Sequence, residues 1–281
     1  MMPQQIDLAF AMGLAPEKAV EYFKSKGYTL SWDWQDTWQE AHAIAFTVAK
    51  AGRLDVLQAI RDELQRALDA GVTLQEFRRT LEPRLKALGW WGRVTVAGDG
   101  GAETVQLGSA WRLETIYRTN MQSAYSAGRW AQQQANAGAR PYLQYVAVLD
   151  GATRPGHRAL HGKVFRADDQ IWTSIYPPNG YGCRCSVRAL TKQEVDERGL
   201  TVESSDGRLS QRDVVINQKT GEIGEVTVYR FTNPATGETI EMAPDPGFNF
   251  NPGQAAWQPD LEKYSPELRA AYQRYVKAKG A

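Results

Sequence analysis

Apolar residues recur at helical spacing up to about residue 90 of the chain. PEKAVEYFKSKG opens with Pro16 and stops at Gly27. SWDWQDTWQEAHAIAFTVAKAG puts Trp34, Trp38, Ala41 and Ala45 on one stripe ending at Gly52. LDVLQAIRDELQRALDAG does the same with Leu54, Leu57, Ile60, Leu64 and Leu68, and Gly71 stops it. Thr73 and Glu76 then stand as a capping box before a helix in which Pro83 predicts a bend or break. After a Gly-rich loop with a short strand, the pattern predicts a long helix from Ala110 to Ala135. Its row Arg118, Gln122, Tyr125 and Arg129 shares one face. The period then shortens. Tyr142 to Leu149 reads as a strand, PGHRALHG as one or two helical turns with Gly162 as the stop, KVF as a short strand, and CRCSVRAL as another strand before a short helix.

The tail changes again. GEVTVYRFTNPATGETIEM predicts a hairpin, and SPELRAAYQRYVKAKGA a terminal helix capped at Ser265. Between them, PDPGFNFNPG disfavours both helix and central strand, so residues 244–257 are expected as an ordered arm anchored by Phe248, Phe250 and Trp257. The fold class that follows is α+β. A helical N-terminal region (1–95) precedes a core of a long helix with a small β-sheet (110–200), and a hairpin, extended arm and terminal helix follow (201–281).

With 281 residues, 42% of them hydrophobic, the chain has ample material for a core. The net charge of +1 gives no whole-molecule field for nucleic acid or membrane. Its distribution is uneven: residues 110–190 hold ten basic and four acidic side chains, and nine of the ten are arginine. Those forks suit carboxylate or phosphate; intramolecular pairing with acidic flanks is the competing reading. The opening segment lacks the basic stretch and long apolar core of a secretory signal, and no run approaches the ~20 apolar residues of a membrane span. A reducing compartment is therefore expected, in which two cysteines are metal ligands or free thiols rather than a bridge.

Those cysteines, Cys183 and Cys185, are one residue apart, where an extended segment turns both to one side. His157 and His161 are four apart, which on a helix stacks two rings on one face. Two thiolates and two imidazoles suit a closed structural zinc site. The competing reading has the cysteines as small buried residues and the histidines bonded to backbone or Asp150. A catalytic zinc is disfavoured: H-E-x-x-H is absent, and so are the H-x-E and P-C-x-x-C of the zinc deaminases. His42, in the second predicted helix, reads as structural. A polar core is expected around Arg118, Asn120, Tyr125, Arg129 and Asp150. In it the long helix packs on the cysteine segment, and Asp150 and the PPNGYG carbonyls accept from the arginines.

YRTNMQSAYSAGRW followed by LDGATRPGHRALHGKVFRADDQIWTSIYPPNGYGCRCSV resembles the phage Mu F-like minor head protein family. The likeness is carried by Arg118, Thr119, Asn120, Tyr125 and Arg129, then Asp150, Thr153, Arg154, His157, Leu160 and Gly162, then Pro177, Pro178, Cys183, Arg184 and Cys185. It implies a non-enzymatic minor capsid protein of a tailed phage or prophage. Such a protein associates with the procapsid, the portal, and other capsid or scaffold proteins, and assists head assembly and DNA packaging or delivery. It would lie in the virion head, and in the host cytoplasm during assembly. Two rivals stand beside it: a zinc-dependent hydrolase or toxin-like transferase on the same core, and an Arg-rich DNA-binding module.

Overall fold

Residues 16–28, 45–98, 101–217, 220–232 and 237–255 are described by a computed structural model of α+β class. Helices α1 (Pro16–Ser25), α2 (Leu54–Ala70) and α3 (Leu74–Ala87) carry the first apolar stripes. On α2 the buried row is Leu57, Ile60, Leu64 and Leu68, whereas Leu54 in the first turn stays exposed. Gly71 ends the helix in the left-handed region at φ 66°, where its N–H reaches Ala67 O. Thr73 Oγ1 accepts from Glu76 N at 3.3 Å at the start of α3. Contrary to the predicted break, α3 runs through Pro83. The bond Pro83 cannot donate would go to the carbonyl of Arg79, and both residues are exposed, so water can serve that carbonyl instead.

The predicted helix ending at Gly52 is also corrected where it is described. Ala45–Phe46 (β2) pairs in parallel with Gly27–Tyr28 (β1), and a turn follows. Alternation at Phe46 and Val48, both buried, suits an extended segment that shares one core with α1 and α2. Trp34, Trp38, Ala41 and His42 lie outside the described residues. The Gly-rich loop is a hairpin of β3 (Arg93–Gly98) and β4 (Gly101–Gln106), with Val94 opposite Val105.

Helix α4 spans Ala110–Ala135 as predicted, about 39 Å at 1.5 Å per residue. Ser109 caps it by accepting from Arg112 N. Its length lets it serve two cores. Leu113, Tyr117, Met121 and Ala124 close the first, with Ile60, Leu64 and Phe77. Tyr117 meets Phe77 in a tilted ring contact at 5.2 Å and donates from its hydroxyl to Val72 O at 2.6 Å. Further along, Trp130 meets Tyr176 edge-on at 5.1 Å and so belongs to the second core.

That second core is built on a four-stranded sheet. β5 (Tyr142–Val146) lies between β7 (Ser186–Leu190) and β6 (Val164–Arg166), antiparallel to both, and β8 (Val202–Glu203) adds in parallel to β6. The cysteines precede β7 rather than lying in it. Short helices α5 (Pro155–Leu160), α6 (Ile171–Ser174) and α7 (Lys192–Glu197) fill the connections. Strands β9 (Leu209–Asn217), β10 (Glu222–Thr232) and β11 (Thr239–Met242) form an antiparallel sheet whose Tyr229, Phe231 and Met242 join Phe165, Trp172 and Tyr176 inside.

Residues 243–251 then run without helix or strand. Phe248 and Phe250 are buried, Asn249 Oδ1 accepts from Thr227 N at 2.9 Å, and Asn251 Nδ2 donates to Trp172 O at 2.9 Å. One helical turn, α8 (Pro252–Ala255), follows and packs on α4, against Trp130. Trp257 and the terminal helix predicted from Ser265 lie outside the described residues. Among the described residues no helix is long and apolar enough to cross a membrane.

Candidate metal centre

Three of the four predicted ligands converge. His157 Nδ1 lies 3.7 Å from Cys183 Sγ and 3.5 Å from Cys185 Sγ, and all three residues are buried. The cysteines arrive on one side because they are two apart in extended chain, and His157 reaches them from the middle of α5. His161 is not among them. Helix α5 ends at Leu160, and His161 already has ψ 129°, so the i, i+4 stacking that needs both residues in helical backbone does not form. Instead its exposed ring accepts from Ala147 N at 3.1 Å through Nδ1.

The cluster has a second layer that spacing did not reveal. Cys183 is pulled well below the ordinary thiol range, first by a hydrogen bond from Cys185, with His157 beside it adding to the pull against burial. Cys185 is pushed up, first because it holds the shared proton toward Cys183 and then by burial. Tyr145 is raised well above its usual value by burial and by the neighbouring sulfurs, and its hydroxyl accepts from Asn179 Nδ2 at 3.0 Å. Asn179 is fully buried, and its Oδ1 has no hydrogen-bond partner. Its backbone carbonyl accepts from Asp245 N at 3.0 Å, which docks the arm against the cluster. The Asp245 carboxylate pairs with Arg154 at 2.9 Å, and burial raises it. The turn residues of PPNGYG were the available signal for Asn179. Asp245, some sixty residues from the cysteines in sequence, carried none.

The expected polar core is rearranged. The long helix does pack on the cysteine segment, but through Gln122, whose Nε2 donates to Cys185 O at 2.9 Å. Arg118 pairs with Glu114 one turn back at 2.8 Å rather than with Asp150. Asn120 Nδ2 donates to Ile116 O at 2.9 Å, again within the helix. Tyr125 is buried, and burial raises its hydroxyl. Arg129 donates to Val187 O at 3.4 Å. Asp150 is taken by Arg184, whose Nη1 lies 2.6 Å from Oδ2 and whose Nη2 bonds Oδ1; this fork holds the carboxyl well below the usual carboxylate range. The physical reason is alternation. Arg184 sits between the cysteines and points the other way, toward Asp150.

Arg118 and Tyr125 line a cavity of about 60 Å³ with Cys183 and Arg184, whereas Arg129 opens onto a different cleft. Such a volume admits a water or two.

Residues 58–188 match the family described as Phage Mu protein F like protein. The chain is 49% identical over 263 residues to the "Putative capsid assembly protein F" of Escherichia phage Mu, covering 92% of this chain and 59% of that protein. Both comparisons make the chain similar to the Mu F-like family. A second Mu F-like relative, the "Mu-like prophage FluMu F protein" of Haemophilus influenzae, is 46% identical over 234 residues, covering 83% of this chain and 55% of that protein. The chain thus spans less than two thirds of the length of either relative. No solved structure matches it. The matched span runs from α2 into β7 and holds His157, Cys183, Cys185, Asp150 and Arg184; the arm with Asp245 lies beyond it.

Proposed function

We propose that this chain is a minor head protein of a tailed phage or prophage, working in capsid assembly by a structural rather than a catalytic role. The observation that carries this is the 49% identity, over 92% of the chain, to a protein named for capsid assembly. Its partners are other head proteins, the portal among them, and its place is the virion head, reached from the host cytoplasm during assembly. Help in packaging or delivering DNA belongs to the same reading. The cavity at Cys183, about 60 Å³, supports structure over catalysis because a substrate has no room beside the thiol. The test is quantitative mass spectrometry of purified heads with an amber mutant as control. The reading requires a fixed copy number per head and aberrant or empty heads without the protein. Normal infectious heads from the mutant would overturn it.

Within that role we propose a structural zinc. Three donors of a four-coordinate site are in place: one imidazole and two thiols, buried, whose ligand atoms lie within 4.8 Å of one another. His157 Nδ1 and the Cys183 and Cys185 sulfurs would hold the ion, which would tie α5 to the segment entering β7. His161 supplies no fourth position. Elemental analysis of the purified protein is the test, and a well-folded sample without stoichiometric zinc would refute it.

A further inference from the structure

Between the second half of α4 and the edge of β5 and β7 lies an open cleft of about 690 Å³. Its basic groups come from four places in the chain: Arg129 on α4, Arg140 just after it, His161 after α5, and Arg188 on β7. No carboxylate is among the described residues that line it; its other polar side chains include Gln132, Gln133, Asn136, Gln144 and Ser186. Among the described residues only Arg140 has an acidic partner, Glu194 at 3.0 Å. Arg188 donates to Gln144 Oε1 at 2.6 Å, and Arg129 reaches only the carbonyl of Val187. Arg129 Nε is buried with no hydrogen-bond partner at all. A guanidinium in that position is costly, and burial draws its proton affinity down. Here the protein holds a charge against its own stability, with no carboxylate paired to it among the described residues. His161 adds a donor rather than a charge: with Nδ1 accepting from Ala147, the ring N–H left to face the cleft is Nε2.

We propose that this cleft is an oxyanion site for phosphate. A carboxylate offers two coplanar oxygens and suits one fork. Guanidiniums arriving from a helix, a loop and a strand call for an acceptor with oxygens in several directions and more charge, which phosphate supplies. Two sources share that chemistry: the phosphodiester backbone of nucleic acid, and a free phosphate or phosphomonoester. Tyr145 is almost fully buried, so the flat surfaces the wall offers a base are the exposed His161 ring and the guanidinium planes, which stack without reading sequence.

The test uses the full chain with two ligands. Fluorescence anisotropy follows a labelled oligo-dT of about 12 nucleotides, within the usual span of single-strand sites. Calorimetry follows inorganic phosphate. Arg188→Gln, an exposed residue whose loss spares the core, should weaken the bound ligand about tenfold, the scale of one charged hydrogen bond. For the strand it should also flatten the salt dependence by about 0.7 in log–log slope, one neutralised phosphate. Arg79→Gln, at an exposed position of α3, should change neither. Strand binding lost in the cleft variant assigns the nucleic-acid source; phosphate binding alone, lost in the same variant, assigns the small anion. Binding of neither ligand, binding indifferent to Arg188→Gln, or preference for a glutamate-rich peptide over both would overturn the proposal. The site does not depend on the head-assembly reading: copy number in heads tests that separately, and either can fail alone.

Discussion

Gly180→Ala should undock the arm that closes over the His–Cys cluster. A Cβ built at Gly180 would lie 2.1 Å from Asp245 Oδ2, 2.7 Å from its Cγ and 3.1 Å from Arg154 Nη1. Asp245 cannot swing aside cheaply, because its N–H is bonded to Asn179 O and its carboxylate to Arg154. If it withdraws, three contacts go. The ion pair is about two-fifths exposed on each side and is worth ~0.2–1 kcal/mol. The buried Asn179 carbonyl loses its donor, at ~1–3 kcal/mol. The edge-on contact of Tyr181 with Phe248, at 4.9 Å, adds ~0.5–1.5 kcal/mol where it is lost. The expected loss is about 2–4 kcal/mol in urea unfolding, since the contacts do not fail wholly together. Hydrogen exchange gives the local readout. The amides of Asp245 and Phe248, which bond Asn179 O and Asp245 O, should lose protection while the Tyr117 region keeps its own.

A double-mutant cycle isolates the cause. In an Asp245→Ala background the clashing carboxylate is gone, so adding Gly180→Ala should cost clearly less than it does alone; the strain of a Cβ at φ 158° is common to both backgrounds and cancels in the cycle. Equal cost in both backgrounds, or full protection of the two amides in Gly180→Ala, would refute the claim that this close approach holds the arm.

Three further outcomes are expected. Cys183→Ser should lower the melting temperature, and a chelator should lower it for the native chain but add nothing to the variant; melting indifferent to chelator in both would count against the zinc. Tyr117→Phe should cost about 1–3 kcal/mol in urea unfolding, because it leaves the Val72 carbonyl without its buried donor; an unchanged midpoint would show that water replaces the hydroxyl. Asp150→Asn should destabilise the protein near neutral pH. Arg184 depresses the folded-state pKa, so the native Asp150 contributes stability above the unfolded value of ~3.9 and loses it as pH falls toward the folded value. The gap between the two proteins should therefore close in acid, and a gap constant down to low pH would refute the Arg184 assignment.

Much of the fold was legible because local pattern fixes it. The α4 span, the buried row on α2 and the β10–β11 hairpin follow from periodicity and turn residues alone. What failed was set by distant partners. Ala45–Phe46 lies in an apolar stretch that fits a helix as well as a strand, and only pairing with Gly27–Tyr28 decides it. The carbonyl freed by Pro83 is harmless because it is solvated, a fact of burial rather than of sequence. The arm was read from its prolines and glycines, but nothing local says that its Asp245 docks on Asn179.

The candidate site divides along the same line, at one residue. Cys183 and Cys185 converge because alternation in extended chain tolerates a strand boundary: β7 begins only at Ser186, yet both sulfurs still face one way. The pairing of His157 with His161 had no such tolerance. Helical stacking needs the whole interval in helix, and the stop signal at Gly162, which has φ 85°, acts on the residue before it as well. A helix of six residues has no slack to absorb that loss, so His161 leaves the cysteines and joins the arginine-lined cleft, where its Nδ1 accepts from Ala147. Had Gly162 stood one turn later, the same two histidines would have faced one point. The position of a single left-handed residue thus decides whether His161 faces the cysteines or the arginine-lined cleft.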